Sequence, residues 1–141
     1  DSMNYIVEYA DLVEVIRLVN NYLDPKGMFI FDLNTRYKYE QMGETTIAEN
    51  REEASFIWDN YYDPEEEINE YDLTIFVQEE ENLFRRFTET HFQRGYTVEQ
   101  MLRLVEEAGM KVVEVKDADT GEAVTEQSER VYMVAKEFGK Q

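Results

Sequence analysis

Six consecutive residues, Met28-Phe29-Ile30-Phe31-Asp32-Leu33, form a continuous rather than alternating apolar run, directly after Asp24-Pro25-Lys26-Gly27. Such a run predicts a strand buried on both faces, as in a parallel sheet covered by helices. Pro25 holds Asp24 in extended geometry, and Gly27 is read as the residue that permits a positive φ. Upstream, Leu12, Val15, Ile16, Val19 and Leu23 recur at helical spacing, with Asp11 as the expected N-cap. A helix, a tight turn and a doubly buried strand make half of a strand–helix–strand unit. The strand that should precede the helix is absent, or survives as the polar stub of residues 1–5.

The far end of the chain repeats this grammar. Thr97-Val98-Glu99-Gln100 is a capping box, Val98, Met101, Leu102, Val105 and Ala108 form an apolar stripe, and Gly109 supplies a left-handed stop. Met110–Val115 and Arg130–Lys136 read as two strands around a polar loop. Between the two ends the pattern changes. An irregular link leads to three extended stretches, Ser55–Tyr62, Ile68–Gln78 and Leu83–Arg94, joined by short turns as an antiparallel meander. The order implies an α/β framework built from residues 1–42 and 97–141, with 43–96 as an antiparallel insertion.

Composition narrows the chemistry. Among 141 residues there is no Cys and a single His, which excludes disulfides, thiolate nucleophiles and Cys-ligated or multi-His metal sites. A net charge of −18 disfavours nucleic acid. No apolar run reaches the ~18–20 residues of a membrane span, and no signal peptide is visible, so no membrane association and a cytoplasmic location are expected. A start at Asp rather than Met reads as a trimmed or excised chain. The charge is concentrated: residues 43–82 carry 14 acids against one base, Arg51. These acids read either as solvated turns and strand faces or as a field that favours a cationic ligand. Their spacing does not follow a calcium loop, so no dedicated metal site is expected.

Ligands of open α/β sheets bind at strand ends. Here that position is Asp32-Leu33-Asn34-Thr35, with Asp1-Ser2-Met3-Asn4-Tyr5 at the end of a neighbouring strand; the plainer reading is that these side chains satisfy turn amides. His91 is a packed or surface residue, or a general base, since histidine exchanges protons near neutral pH. Arg94, three positions on, should leave the opposite face of a regular strand. Trp58, Tyr61, Tyr62, Tyr71 and Phe76 suit a sheet core or a ligand cage. No Ser–His–Asp arrangement and no Gly-rich phosphate loop is present. These residues alone do not name a reaction.

Residues 1–6, the stretch Leu23–Thr35, Glu89–Thr97 with the following helix and Ala108-Gly109-Met110, and Glu126–Ala135 together resemble the C-terminal half of a bacterial class I S-adenosylmethionine-dependent methyltransferase. The similar members act on small molecules and carry an antiparallel sheet over the active site. The resemblance implies a partial Rossmann-like sheet. Residues 1–5 would follow strand four, Met28–Leu33 would be strand five, Met110–Val115 strand six and Arg130–Lys136 the antiparallel strand seven. Residues 43–96 would be the substrate-facing cap. It implies S-adenosylmethionine as cofactor and a small-molecule acceptor, with Asp1 and Asn4 near the cofactor. Tyr5, Asn34, Trp58 and Arg94 would stand near the acceptor, and His91 would be the base or orienting group. The family's Gly-rich turn and ribose-binding acid would lie upstream of Asp1, so weak or absent cofactor binding and an inactive isolated chain are expected. An exposed edge of strand five should drive self-association or pairing with the missing half. On the residues alone, a non-catalytic acidic ligand-binding or protein-interaction module stays open as the alternative.

Overall fold

The computed structural model describes residues 2–140; Asp1, expected near the cofactor, lies outside the described residues. A 3₁₀ turn (Ser2–Tyr5) leads into α1 (Tyr9–Tyr22), β1 (Met28–Asn34), α2 (Arg36–Met42), β2 (Thr45–Asn50), β3 (Ala54–Asp63), β4 (Ile68–Glu80), β5 (Leu83–Arg94), α3 (Val98–Glu107), β6 (Lys111–Asp117) and β7 (Arg130–Lys136). Two sheets result. One has the order β1-β7-β6, and the other is a meander, β2-β3-β4-β5; all pairings within both are antiparallel.

The core lies where α1 and α3 cover the three-stranded sheet. Leu12 and Ile16 of α1 meet Met101, Leu104 and Val105 of α3 above Leu33, Val131, Met133 and Ala135. The helix α3 begins as expected, with Thr97 and Gln100 closing a reciprocal capping box. Gly109 follows at φ 88°.

Four expectations need correction. The strand β1 is buried on one face only: Phe31 and Leu33 are buried, whereas Met28 and Ile30 on the other face are exposed, Ile30 by 67%. Its only strand partner among the described residues is the antiparallel β7, and on that second face only Asn34, at the end of the strand, is buried. Asp11 is not the N-cap: α1 starts at Tyr9 behind Glu8, and Asp11 sits in the first turn, where its charge still favours the helix dipole. The positive φ in the turn before β1 belongs to Lys26 (φ 64°) rather than Gly27. Gly27 is required instead because a Cβ there would lie 2.9 Å from the Asp24 carbonyl oxygen. The link to the meander is also ordered. The Thr35 hydroxyl accepts from the Lys38 amide to cap α2, and β2 then adds a fourth strand. All six residues of β2 are exposed, so the period-two burial signal that would reveal a strand is missing.

Several contacts join the sheets. Thr35 and Tyr96 form a parallel bridge, and the Arg36 amide donates to the Tyr96 carbonyl at 3.1 Å. Glu67, at φ 59°, completes the clamp: its carboxylate accepts from Arg36 at 3.0 Å and faces Arg94 at 3.6 Å.

Candidate functional site

The polar end of β1 is organised by Asn4. Its side chain is wholly buried. The amide nitrogen donates to the carbonyls of Asn34 at 3.0 Å and Arg94 at 2.9 Å, while its oxygen accepts from the Asn34 amide at 2.9 Å. One side chain thus makes with Asn34 the paired contact that a neighbouring strand would make, and carries it across to the end of β5. Asn34 in turn uses its side chain within the chain, donating to the Tyr39 hydroxyl at 3.2 Å and accepting from Lys38 Nζ at 3.2 Å. Burial pushes the Tyr39 phenol up to about 12.

Next to Asn4, Tyr5 reaches outward to the meander. Its hydroxyl lies 2.6 Å from that of Tyr71 on β4. The register of the meander sets Tyr71 opposite His91 on β5 and opposite Asn60 on β3. The His91 ring stacks on Tyr71 at 4.7 Å and 18°, and Tyr5 meets His91 edge-on at 5.6 Å. Trp58 covers Tyr71 at 4.7 Å. Its indole N–H is buried and finds no hydrogen-bond partner among the described residues. Burial, reinforced by the hydrogen bond to Tyr5, raises the Tyr71 phenol above its ordinary value. The Tyr39 and Tyr71 phenols are therefore hydrogen-bonding groups rather than bases at neutral pH.

His91 Nε2 lies 3.0 Å from a Glu89 carboxylate oxygen. A carboxylate only accepts, so the geometry assigns the hydrogen to Nε2 and leaves the lone pair of the neutral ring on Nδ1. The contact fixes the orientation of the ring.

Structure therefore brings Tyr5, Trp58 and His91 into one aromatic cluster, with Asn4 and Asn34 beneath it. Arg94 does not join them. It leaves the opposite face of β5, donates through Nε to the Val7 carbonyl and faces Glu67. Tyr71, one of the aromatic residues noted in the sequence, is a central member, and Glu89 joins it without any signal along the chain. The buried pair Asn60 and Asn69, joined by two amide hydrogen bonds of 2.9 and 2.8 Å, is equally hidden, although Asn inside long strands is unusual enough to mark it. An apolar cavity of about 360 Å³ opens beside Trp58, lined also by Phe56, Leu73 and Ile75. A larger one, about 580 Å³, lies between Thr35, the start of α3 and residues 124–128, and touches none of the cluster.

No protein-family model matches the chain. A solved S-adenosylmethionine-dependent methyltransferase from Clostridium acetobutylicum superposes with a TM-score of 0.88 at 28% identity, over 99% of this chain and 56% of that one. This chain is part of a class I methyltransferase fold. A "putative methyltransferase" of Geobacillus sp. (strain WCH70) is 34% identical over 137 residues, which is 96% of this chain and 56% of that protein. The "Putative methyltransferase YqeM" of Bacillus subtilis (strain 168) is 31% identical over 136 residues, 96% of this chain and 55% of that protein. The chain spans about half the length of the curated relatives it matches. The methyltransferase fold is thus present in part. No helix among the described residues is long and apolar enough to cross a membrane.

Proposed function

We propose that this chain supplies the acceptor side of an S-adenosylmethionine-dependent methyltransferase acting on a small molecule, with 43–96 as the cap over the acceptor. The observation that carries the reading is the match of 99% of the chain, at TM-score 0.88, to a methyltransferase of that kind. It disfavours the alternative of a free-standing acidic module.

The described residues do not fit S-adenosylmethionine as a binding site of their own. Both amide hydrogens of Asn4 are spent on chain carbonyls, and the sequence has no Gly-rich turn. What the chain offers is acceptor handling. His91 Nδ1 takes the acceptor's proton, Glu89 orients the ring, and the Tyr5–Tyr71 pair donates one hydrogen bond within itself and keeps another for the acceptor. Trp58 forms one wall, Asn34 shapes the floor through Tyr39, and Asn4 holds the strand ends in place. Arg94 acts at a distance by tying the cap to the framework. The uncovered face and free edge of β1 are where the remainder of the fold pairs, or a second copy in its absence.

Two measurements test this. Calorimetric titration of the 141-residue chain with S-adenosylmethionine should show little or no binding, and micromolar binding would refute the assignment of the cofactor site elsewhere. In the whole protein, His91→Gln should lower methyl transfer, read as S-adenosylhomocysteine release, about 10²-fold or more. Unchanged turnover removes His91 from the site.

A further inference from the structure

The four-stranded sheet ends in two open edges, β2 and β5. Proteins usually protect such edges with charged side chains, Pro, bulges or a short strand. Over Leu83–Thr90 the β5 edge has only the first of these, and its charges, Arg85, Arg86 and Glu89, are of both signs. It contains no Pro and no Lys, its ladder with β4 is regular beyond the shift at Gln78, and all eight residues are exposed. Phe87, in the middle of the stretch, is 47% exposed.

The charge on the two edges differs. The β2 edge carries Glu49, with Glu44 just before it and Arg51 just after, and Glu49 is already paired with Arg51 at 3.1 Å, so two copies of it have no complementary charge to exchange. In a chain of net charge −18, β5 alone among the meander strands is basic, with Arg85, Arg86 and Arg94 against Glu89. Antiparallel pairing of two identical edges requires a two-fold axis normal to the sheet. That axis keeps faces matched and passes through one residue or midway along an even offset. Centred on Arg86, the pairing sets two guanidinium groups against each other. Centred on Thr88, it sets Arg85 against His91 and forms no ion pair. Centred on Phe87, it places the two Phe87 rings side by side and sets Arg85 opposite Glu89 twice, once on each side of the axis. Opposite charges directly across an antiparallel pair stabilise it, and like charges destabilise it.

We propose that the β5 edge pairs with the β5 edge of a second copy of this chain, centred on Phe87, to make one continuous eight-stranded sheet. Within one chain Arg85 meets Glu79 at 2.6 Å and Glu89 meets His91 at 3.0 Å. Both contacts are exposed, and the remaining guanidinium hydrogens and carboxylate lone pairs serve the cross-copy pair. Arg85 of the partner subunit then reaches Glu89, the residue that orients His91, so the assembly touches the proposed site as well as the sheet. Mutual repulsion of the two acidic bodies is screened beyond a Debye length of about 8 Å at physiological salt, whereas the edge contacts are direct.

The test is sedimentation velocity of the 141-residue chain across the micromolar range at physiological ionic strength. The wild type should dimerise. Arg85→Glu and Glu89→Arg each set two like-charge pairs across the axis and should weaken the dimer about tenfold or more. Combining them restores opposite charges in reversed order and should return the affinity to within about threefold of wild type. Phe87→Asp should abolish dimerisation while circular dichroism shows an unchanged fold, and amide exchange over Leu83–Thr90 should slow with protein concentration. A wild type that stays monomeric overturns the proposal. So does association indifferent to both single reversals, which would place the contact on β1 or another surface, or a double reversal weaker than either single one.

Discussion

Replacing Asn4 tests how the two sheets are joined. Its amide serves three backbone groups, the N–H and C=O of Asn34 and the C=O of Arg94, at 2.9–3.0 Å and in full burial. Asn4→Ala strands all three. A buried backbone group left without a partner costs about 1–3 kcal/mol. Water entering the space of the lost amide satisfies part of the demand, so the low end applies and the sum is about 3 kcal/mol. That is a large share of the ~5–15 kcal/mol that holds a domain together. Asn4→Asp is more informative. The carboxylate still accepts from the Asn34 amide, but it faces two carbonyl oxygens that need a donor. At neutral pH it should cost more than the alanine, about 4 kcal/mol or above. In the folded variant the introduced carboxyl holds its proton to a higher pH than an unfolded carboxyl does. The deficit should therefore be smallest below about pH 4 and grow as pH rises through the folded value. Urea titrations of the three proteins at two pH values measure this, with the midpoint falling at unchanged slope. Hydrogen exchange at the Asn34 amide reports the local opening. An alanine variant within about 1 kcal/mol of wild type, or an aspartate variant no worse than alanine at neutral pH, would refute the three-way clamp.

Two further outcomes follow from the same junction. A Cβ at position 95 would lie 2.6 Å from the Tyr39 ring and 2.8 Å from the backbone of Arg36, so Gly95→Ala should cost about 3 kcal/mol by pushing α2 off the end of β5; a melting temperature equal to wild type would show that the junction yields. Burial raises the Tyr39 and Tyr96 phenols from 10.0 to about 12, so each contributes stability that is whole below pH 10 and is lost as pH climbs to 12, about 2.7 kcal/mol per phenol. Phenolate absorbance should show a group of late-titrating tyrosines, Tyr39, Tyr71 and Tyr96 among them, and a chain whose tyrosines all ionise together near pH 10 while folded would contradict this.

The helices α1 and α3 and most strands were legible because their signals are short-range; α2 was not. Thr97 and Gln100 are three residues apart, the stripes of α1 and α3 repeat within two turns, and the meander strands alternate around compact turns. The resemblance added the order of the framework strands. Where reading failed, the deciding contact was distant. Whether the second face of β1 is covered depends on elements other than β1. The strand β2 exists because β3 pairs with it, and nothing in its exposed residues announces that.

The candidate site divides in the same way. His91 stands out as the one histidine, and its separation from Arg94 follows from the two-residue period of a strand. Its surroundings do not. Tyr71 is placed beside it by the β4–β5 register, Tyr5 reaches the pair from 66 residues upstream of Tyr71, and Asn4 joins partners 30 and 90 residues away. The amino-acid sequence by itself determined most of the elements, the acidic stretch 43–82 and the residue types able to move a proton. Only the tertiary structure decided which of them meet, because hydrogen bonds of this range depend on sheet register and on the burial that makes an unpaired amide costly.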